Sequence, residues 1–265
     1  MTDETANSVW LEQETARRYH RFTEKTTMYQ ELSRKMVALA GLEPGMRVLD
    51  LGCGTGVTTQ AVLNRLGGSG QVIALDLSAP MLALARQQLT APNVIFLQAD
   101  AAHFADLIER PVDCVVCNSV FWQFRDKGRV MAELRRVLAP GGRLIFNAPE
   151  PYFIFQYIPR SPKVSLLFKQ LAAERYGVGP QDMRTMRVFL GNQGFAVLEM
   201  EQFERVRPAE ESYLFFQLPI ATAWMAPPLD YETRLALLEE AQQLAEPDQP
   251  VKQRWIYFVA ELAGT

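Results

Sequence analysis

The chain is poor in the residues that carry most metal and redox chemistry, with three cysteines and two histidines in 265 residues. Cys53, Cys114 and Cys117 are too few for a disulfide framework. Cys114 and Cys117 share a C-x-x-C spacing, but they lie in Val112-Asp113-Cys114-Val115-Val116-Cys117, which reads as a buried strand. Residues three apart on a strand point to opposite faces, so the pair reads as two buried thiols and no metal is expected. Basic runs are missing beyond Arg17-Arg18 and Arg135-Arg136, and the net charge is −3. A nucleic-acid partner, which calls for a basic footprint, is disfavoured. No apolar run approaches the ~20 residues of a membrane span. Met1 to Ser8 is polar and acidic without a signal-peptide pattern, so the expected location is cytoplasmic.

What is present is a fold-sized apolar supply, 48% of residues, enough for a substantial core. Its most informative stretch is Val48-Leu49-Asp50-Leu51-Gly52-Cys53-Gly54-Thr55-Gly56, an apolar strand running through an acid into three alternating glycines. Such a turn takes positive φ and brings backbone N–H groups against a ligand. The dinucleotide fingerprint places a third glycine at the sixth position of the turn, where this chain has Val57. Asp50 before the turn suits a cationic or zwitterionic ligand better than a pyrophosphate.

Around this turn, apolar runs and helical patterns alternate. Strands are expected at Arg47–Leu51, Gln71–Leu75, Val94–Gln98, Val112–Cys117 and Arg143–Asn147. Helices are expected over 9–40 in two stretches, from the glycine turn to Leu66, over Pro80–Leu89 and over Arg129–Leu138. This rhythm predicts an α/β fold with a doubly wound, mostly parallel sheet. After Asn147 it changes. Pro149–Pro162 is rich in aromatics and proline, with helical patterns over 163–175 and 181–192. Phe195–Val206 and Arg254–Leu262 read as two further strands, with helices Glu210–Met225 and Tyr231–Ala245 inserted between them. The expected organisation is a helical cap over 1–40, a core over 41–148, an acceptor-side insertion over 149–192, and C-terminal strands over 193–265 with an insert at 208–252.

In open α/β sheets, ligands bind at the carboxyl ends of the strands. The second strand ends at Asp76, whose carboxylate either accepts from ribose hydroxyls or caps the next helix, a role that Ser78 can fill instead. Met81 is either an adenine-facing or a core methionine. The third strand ends at Gln98-Ala99-Asp100-Ala101, where Asp100 can accept from an adenine amine and the next N–H can donate to a ring nitrogen. The fourth ends at Asn118-Ser119-Val120-Phe121-Trp122. Asn118 can bond the amino-acid end of a cofactor, while Phe121 and Trp122 are core or pocket wall.

In order and spacing, VLDLGCGTG, ALDLS with Met81, QADA, VCNSVFWQF and LRRVLAPGGRLIF resemble the successive motifs of class I S-adenosylmethionine methyltransferases. The segments after the fourth and fifth strands are most similar to the small-molecule branch, which includes quinone-pathway, trans-aconitate and biotin-pathway methyltransferases. The resemblance implies a Rossmann-like sheet of seven strands with the last antiparallel, and helical cap insertions. It implies S-adenosylmethionine as cofactor, held by Asp50, Gly52, Cys53, Gly54, Gly56 and Leu77, with ribose on Asp76 and adenine beside Met81, Asp100 and Ala101. Asn118 and Tyr29 are counted with the cofactor set, although Tyr19 and Tyr29 either close over the methionine end, touch the acceptor or simply pack as helix residues.

Methyl transfer needs alignment first and a base only for a protonated nucleophile. His20 is the candidate base, or else an exposed helix histidine, and His103 reads as structural or exposed. Tyr19, Trp122 and Tyr152 are candidate acceptor contacts, within an aromatic supply that includes Phe153, Phe155, Tyr157, Phe215, Phe216 and Trp224. Such a lining suits a small, largely apolar acceptor, with O-methylation preferred. The competing readings are an NAD(P)-dependent oxidoreductase, opposed by Val57, and a non-catalytic S-adenosylmethionine-binding regulator. Nothing in the chain indicates an oligomeric state.

Overall fold

Seven strands of one sheet carry the chain's functional half at a single edge. In a computed structural model these are β1 (Arg47–Leu51), β2 (Gln71–Asp76), β3 (Val94–Gln98), β4 (Val112–Cys117), β5 (Leu138–Pro149), β6 (Phe195–Arg207) and β7 (Val251–Leu262). Residues 8–150, 174–175, 183–219, 221, 229–244 and 251–263 are described. The strand order is β3-β2-β1-β4-β5-β7-β6. The first five strands pair in parallel, and β7 runs antiparallel to both β5 and β6. The chain order reverses between β1 and β4, which places a crevice at their carboxyl ends.

The helices are α1 (Gln13–Lys25), α2 (Met28–Ala40), α3 (Val57–Leu66), α4 (Ala79–Gln88), α5 (Lys127–Val137), α6 (Met183–Asn192), α7 (Ala209–Phe216) and α8 (Tyr231–Leu244). The α2 stripe Met28, Leu32 and Met36 is buried on one sheet face with Val62 and Leu66 of α3 and Tyr257 of β7. Each such side chain contributes about 1.5–3 kcal/mol by leaving water. Gly41, at φ +61, ends α2 in the left-handed conformation that favours glycine. The opposite face buries Met131 and Leu134 of α5 and Phe189 of α6 against Leu144, Phe146 and Phe258. Cys114 belongs to the first face and Cys117 to the second, both buried and free, as the alternation of a strand requires. None of the described helices is long and apolar enough to cross a membrane.

Two strands are longer than their apolar patterns. β5 extends to Leu138 and Pro149 because Leu138 pairs with Val112 and Pro149 with Trp255, with a register shift between Val112 and Cys114. β7 begins at Val251 because its polar first residues pair with the end of β6, Lys252 with Val206 and Gln253 with Arg205. α7 ends at Phe216, where Gln217 N–H turns back to the carbonyl of Tyr213, and residues 222–225 of the expected helix lie outside the described residues. Buried Arg205 of β6 pairs with Glu31 of α2 at 3.2 Å and with Glu211 of α7, fastening the inserted helix to the N-terminal one.

Candidate functional site

At the end of β1 the chain turns so tightly that the Gly52 and Cys53 N–H groups both donate to the Leu75 carbonyl of β2, at 2.8 and 2.9 Å. Gly52, Gly54 and Gly56 all have positive φ, at +76°, +54° and +95°. A Cβ on Gly52 would sit 2.8 Å from the Val120 side chain, and one on Gly56 2.7 Å from Leu89, so both faces of the turn are filled. Gly54 faces Tyr19, whose ring would lie 3.5 Å from such a Cβ. The turn therefore presents its backbone at Gly54.

β2 delivers Asp76 against that backbone. Its Oδ2 accepts the Gly54 N–H at 2.8 Å, and its Oδ1 accepts the Ser78 N–H at 2.8 Å. The Ser78 hydroxyl caps α4 through Met81 N–H, so Asp76 is not spent as the cap. Each Asp76 oxygen keeps a further acceptor site, the arrangement that two vicinal hydroxyls require. Burial pushes the Asp76 carboxyl above its ordinary range, and the backbone donors oppose that shift.

These groups line a cavity of about 260 Å³. That lies just below the ~300–1,000 Å³ common for small-molecule sites, which suits a nucleoside-sized ligand. Gly52, Gly54, Asp76, Leu77, Met81, Asp100, Ala101, Asn118, Tyr19 and Tyr29 all border it. Asp100 Oδ1 accepts the Ala102 N–H at 2.8 Å, which orders the loop after β3, and Asp100, Ala101 and Ala102 all border the cavity.

Asn118 borders the cavity with its amide fully engaged. Its Nδ2 donates to Ser33 and Thr58 hydroxyls at 3.0 and 3.1 Å, and its Oδ1 accepts from Ser119 Oγ and Asn147 Nδ2 at 3.1 and 2.9 Å. Two donors and two acceptor positions are all that an amide has. In this arrangement Asn118 ties β4, β5, α2 and the start of α3 together around the cavity that it borders. Ser119 beside it takes φ +63, the only positive φ of a non-glycine among the described residues, and donates its N–H to Asn147 Oδ1 at 2.7 Å.

Asp50, Cys53 and Gly56 lie behind the turn and do not border the cavity. Asp50 is 1% exposed; its Oδ2 accepts from Thr59 at 2.6 Å and its Oδ1 has no partner. Burial pushes its carboxyl to about 7. The Cys53 thiol is likewise pushed up by burial, which removes thiolate chemistry near neutrality.

The roof comes from the N-terminus. Trp10 packs edge-on against Tyr19 at 5.8 Å, and Tyr19 meets Tyr29 at 5.2 Å between ring centroids. Trp10 Nε1 donates to Gln123 at 3.0 Å, and its carbonyl accepts from Ser78 Oγ at 2.7 Å. Sequence reasoning missed Trp10 and Gln123, because their partners lie 68 and 113 residues away. The aromatic cluster around VFWQF was the one available signal.

Two expected contacts are elsewhere. His20 turns away from the cavity, its ring against Gln88 at 3.0 Å and Glu24 at 3.5 Å. Trp122 lies beside the cavity rather than on it, packed on Trp255 at 5.8 Å, while Phe121 is core, stacked on Phe146 at 4.1 Å. Tyr152, Phe153, Phe155, Tyr157 and Trp224 lie outside the described residues.

A nucleoside with a cationic, amino-acid-bearing end fits these groups. Asp76 suits its ribose, and Leu77, Met81 and Ala101 an adenine. Among the described residues no group of side chains could hold a metal ion.

Comparison with known proteins agrees with this chemistry. A methyltransferase domain family matches residues 49–146. The chain is 31% identical over 179 residues to the ubiquinone/menaquinone biosynthesis C-methyltransferase of Teredinibacter turnerae, covering 60% of this chain and 71% of that protein. It is 33% identical over 188 residues to the demethylmenaquinone methyltransferase of Lactiplantibacillus plantarum, covering 68% and 75%. Its fold is similar to the crystal structure of a putative methyltransferase from Bacillus halodurans, with TM-score 0.57 and 19% identity over 87% of this chain and 98% of that one.

Proposed function

The chain belongs to the class I S-adenosylmethionine-dependent methyltransferases, and from that premise we propose that it methylates a small, largely apolar metabolite at oxygen. Bound S-adenosylmethionine supplies the methyl group and the sulfonium charge that activates it, and is left as S-adenosylhomocysteine. Asp76 holds the ribose, Leu77, Met81, Asp100 and Ala101 the adenine, and Gly52 and Gly54 the backbone side of the amino-acid end. Asp50, Cys53 and Gly56 shape the turn from behind. Residues 1–40 act as the cap, 41–148 as the cofactor half, and 149–192 with the 208–252 insert as the acceptor side.

The observation that carries the acceptor class is an aromatic cluster that reaches the cavity through Tyr19 and Tyr29, with Phe22 on Tyr29 at 6.0 Å. Trp122 packs on Trp255, Phe203 pairs across the β6–β7 ladder with Trp255, and Phe22 of α1 packs on Phe215 of α7 at 5.9 Å. These rings belong to the sheet face that α2 covers. Apolar surface in that place favours an acceptor whose own apolar area leaves water on binding.

Oxygen is favoured by the protonation of the site. The described cavity residues include no histidine, lysine, cysteine or glutamate, and the cavity's three aspartates, Asp76, Asp100 and Asp126, each accept backbone N–H groups. Tyr19 and Tyr29 are both raised by burial, Tyr29 to about 12, so neither is a base near neutrality. A carboxylate, an acidic enol or an acidic phenol needs none. Transfer to carbon is the second reading, favoured by the relative whose name specifies C-methylation.

The test is release of S-adenosylhomocysteine across a panel of aromatic and aliphatic acids, phenols and enols, using a carbon-13 methyl donor. Product methyl shifts separate O–CH₃ from C–CH₃. Turnover confined to strongly hydrophilic acceptors, or methyl found on carbon, would overturn the corresponding half of the proposal.

A further inference from the structure

We propose that Arg129 and Glu133 of α5 are positioning residues for the base of the cofactor, holding the loop after β3 in the shape that tells adenine from other purines. This inference rests on the adenine assignment above and deepens it. The loop runs from Ala99 to Ala105, and Asp100, Ala101 and Ala102 border the cavity. Four of its seven residues are alanines, whose single methyls give it little of its own to hold it in place. At its start the Ala99 N–H donates to the Asp76 carbonyl at 3.1 Å, which ties it to β2. Beyond Asp100, side chains of α5 hold it instead.

Glu133 is buried, and its Oε2 accepts the Phe104 and Ala105 N–H groups at 2.9 and 2.7 Å. Its Oε1 faces two guanidiniums, Arg136 at 3.2 Å and Arg129 at 3.5 Å. Arg129 completes the grip, because its Nε donates to the Ala102 carbonyl at 3.1 Å. Arg136 adds a pair with Asp106 just past the loop. The front of α5 belongs to the same cavity: Asp126, which caps the helix through the Arg129 N–H at 2.8 Å, and Val130 both border it. Helix and loop, bonded to each other, thus both face the ligand.

A hydrogen bond weakens steeply once its angle or length departs from the optimum, whereas apolar contact tolerates small shifts. Holding the loop therefore matters for the polar edge of the base more than for its flat faces against Leu77 and Met81 or for the ribose on Asp76. The chemistry of Glu133 makes this testable without a cavity. A carboxylate offers acceptors on both oxygens, here to the loop on one and to the guanidiniums on the other. An amide has one oxygen and one NH₂ group, so Glu133→Gln must turn a donor toward one of those two sides. Arg129 is half-exposed, so Arg129→Met removes the bond to Ala102 and leaves the core alone.

The test is calorimetric binding of S-adenosylhomocysteine and S-inosylhomocysteine to the full chain, to Arg129→Met and to Glu133→Gln. The second ligand carries hypoxanthine, in which the amine donor becomes a carbonyl acceptor and the adjacent ring nitrogen a donor. The parent is expected to prefer the adenosyl ligand by about tenfold, since the reversed groups leave partners unpaired. Both variants should bring that preference close to equality. Their affinity for the inosyl ligand should stay within about twofold of the parent's, which also certifies the fold. A parent-like preference in both variants overturns the inference and leaves the cofactor reading intact. Equal loss of affinity for both ligands overturns it too, because α5 then only stabilises the fold. A parent that binds the two ligands alike removes adenine from this loop, and the inference falls with that assignment.

Discussion

The Asp76 carboxylate accepts the Gly54 N–H at 2.8 Å, so the tip of β2 holds the middle of the turn that follows β1. One side chain thus both shapes the cradle and offers acceptors to what lies in it. Asp76→Ala is expected to weaken S-adenosylhomocysteine binding by roughly 1–3 kcal/mol, the cost of stranding the ligand's hydroxyls. Titration calorimetry reads this directly. Unchanged affinity would remove Asp76 from the site.

Asp50 gives a pH signature. Its folded carboxyl sits at about 7 against an unfolded value of 3.8, because burial penalises the charge. Between those values the folded state holds the extra proton, so its contribution to stability is complete below about pH 4 and is lost as pH rises through 7. Asp50→Asn never ionises. The stability of this variant relative to the parent should rise across that window, by at most about 4 kcal/mol. Denaturant melts of the ligand-free pair at pH 4, 6 and 8 measure it; a gap that stays flat would place the Asp50 carboxyl elsewhere.

Two glycines separate binding from stability. At Gly70, with φ +87, a Cβ would lie 2.2 Å from the Met46 carbonyl oxygen, a backbone atom that cannot swing away. Gly70→Ala should lower the melting temperature strongly. At Gly54 the nearest neighbour is the Tyr19 ring at 3.5 Å, ordinary contact, so Gly54→Ala carries mainly the left-handed backbone cost of ~1–2 kcal/mol. Its methyl nevertheless occupies the cavity face. Cofactor affinity should therefore fall further in Gly54→Ala than in Gly70→Ala, and the reverse order in calorimetry would contradict this arrangement.

His20→Ala should turn over like the parent, since the ring rests on Gln88 and Glu24 outside the cavity. Initial rates at saturating cofactor decide the point, and a large drop in kcat would restore the histidine as a base.

Much of the site was legible because each early strand ends on a residue with its own chemistry. β1, β3 and β4 begin and end where their apolar runs do, and Asp76, Met81 and Asp100 follow those tips into one cavity. The later strands obey partners rather than patterns. Lys252 and Gln253 have no apolar alternation, and only pairing with Val206 and Arg205 makes them strand. Asn118 shows another kind of gap. Its residue type suggested ligand contact, but whether an amide is free depends on Ser33, Thr58 and Asn147, which reach it from 29 to 85 residues away. His20 likewise had the right chemistry at the right helix and the wrong side of it.

Trp10 joins the two rims of the crevice, its indole bound to Gln123 after β4 and its carbonyl to Ser78 after β2. Parting those rims at Trp10 therefore breaks two hydrogen bonds, each worth about 0.5–1.5 kcal/mol, so the indole and its carbonyl stiffen the edge of the cavity that they line.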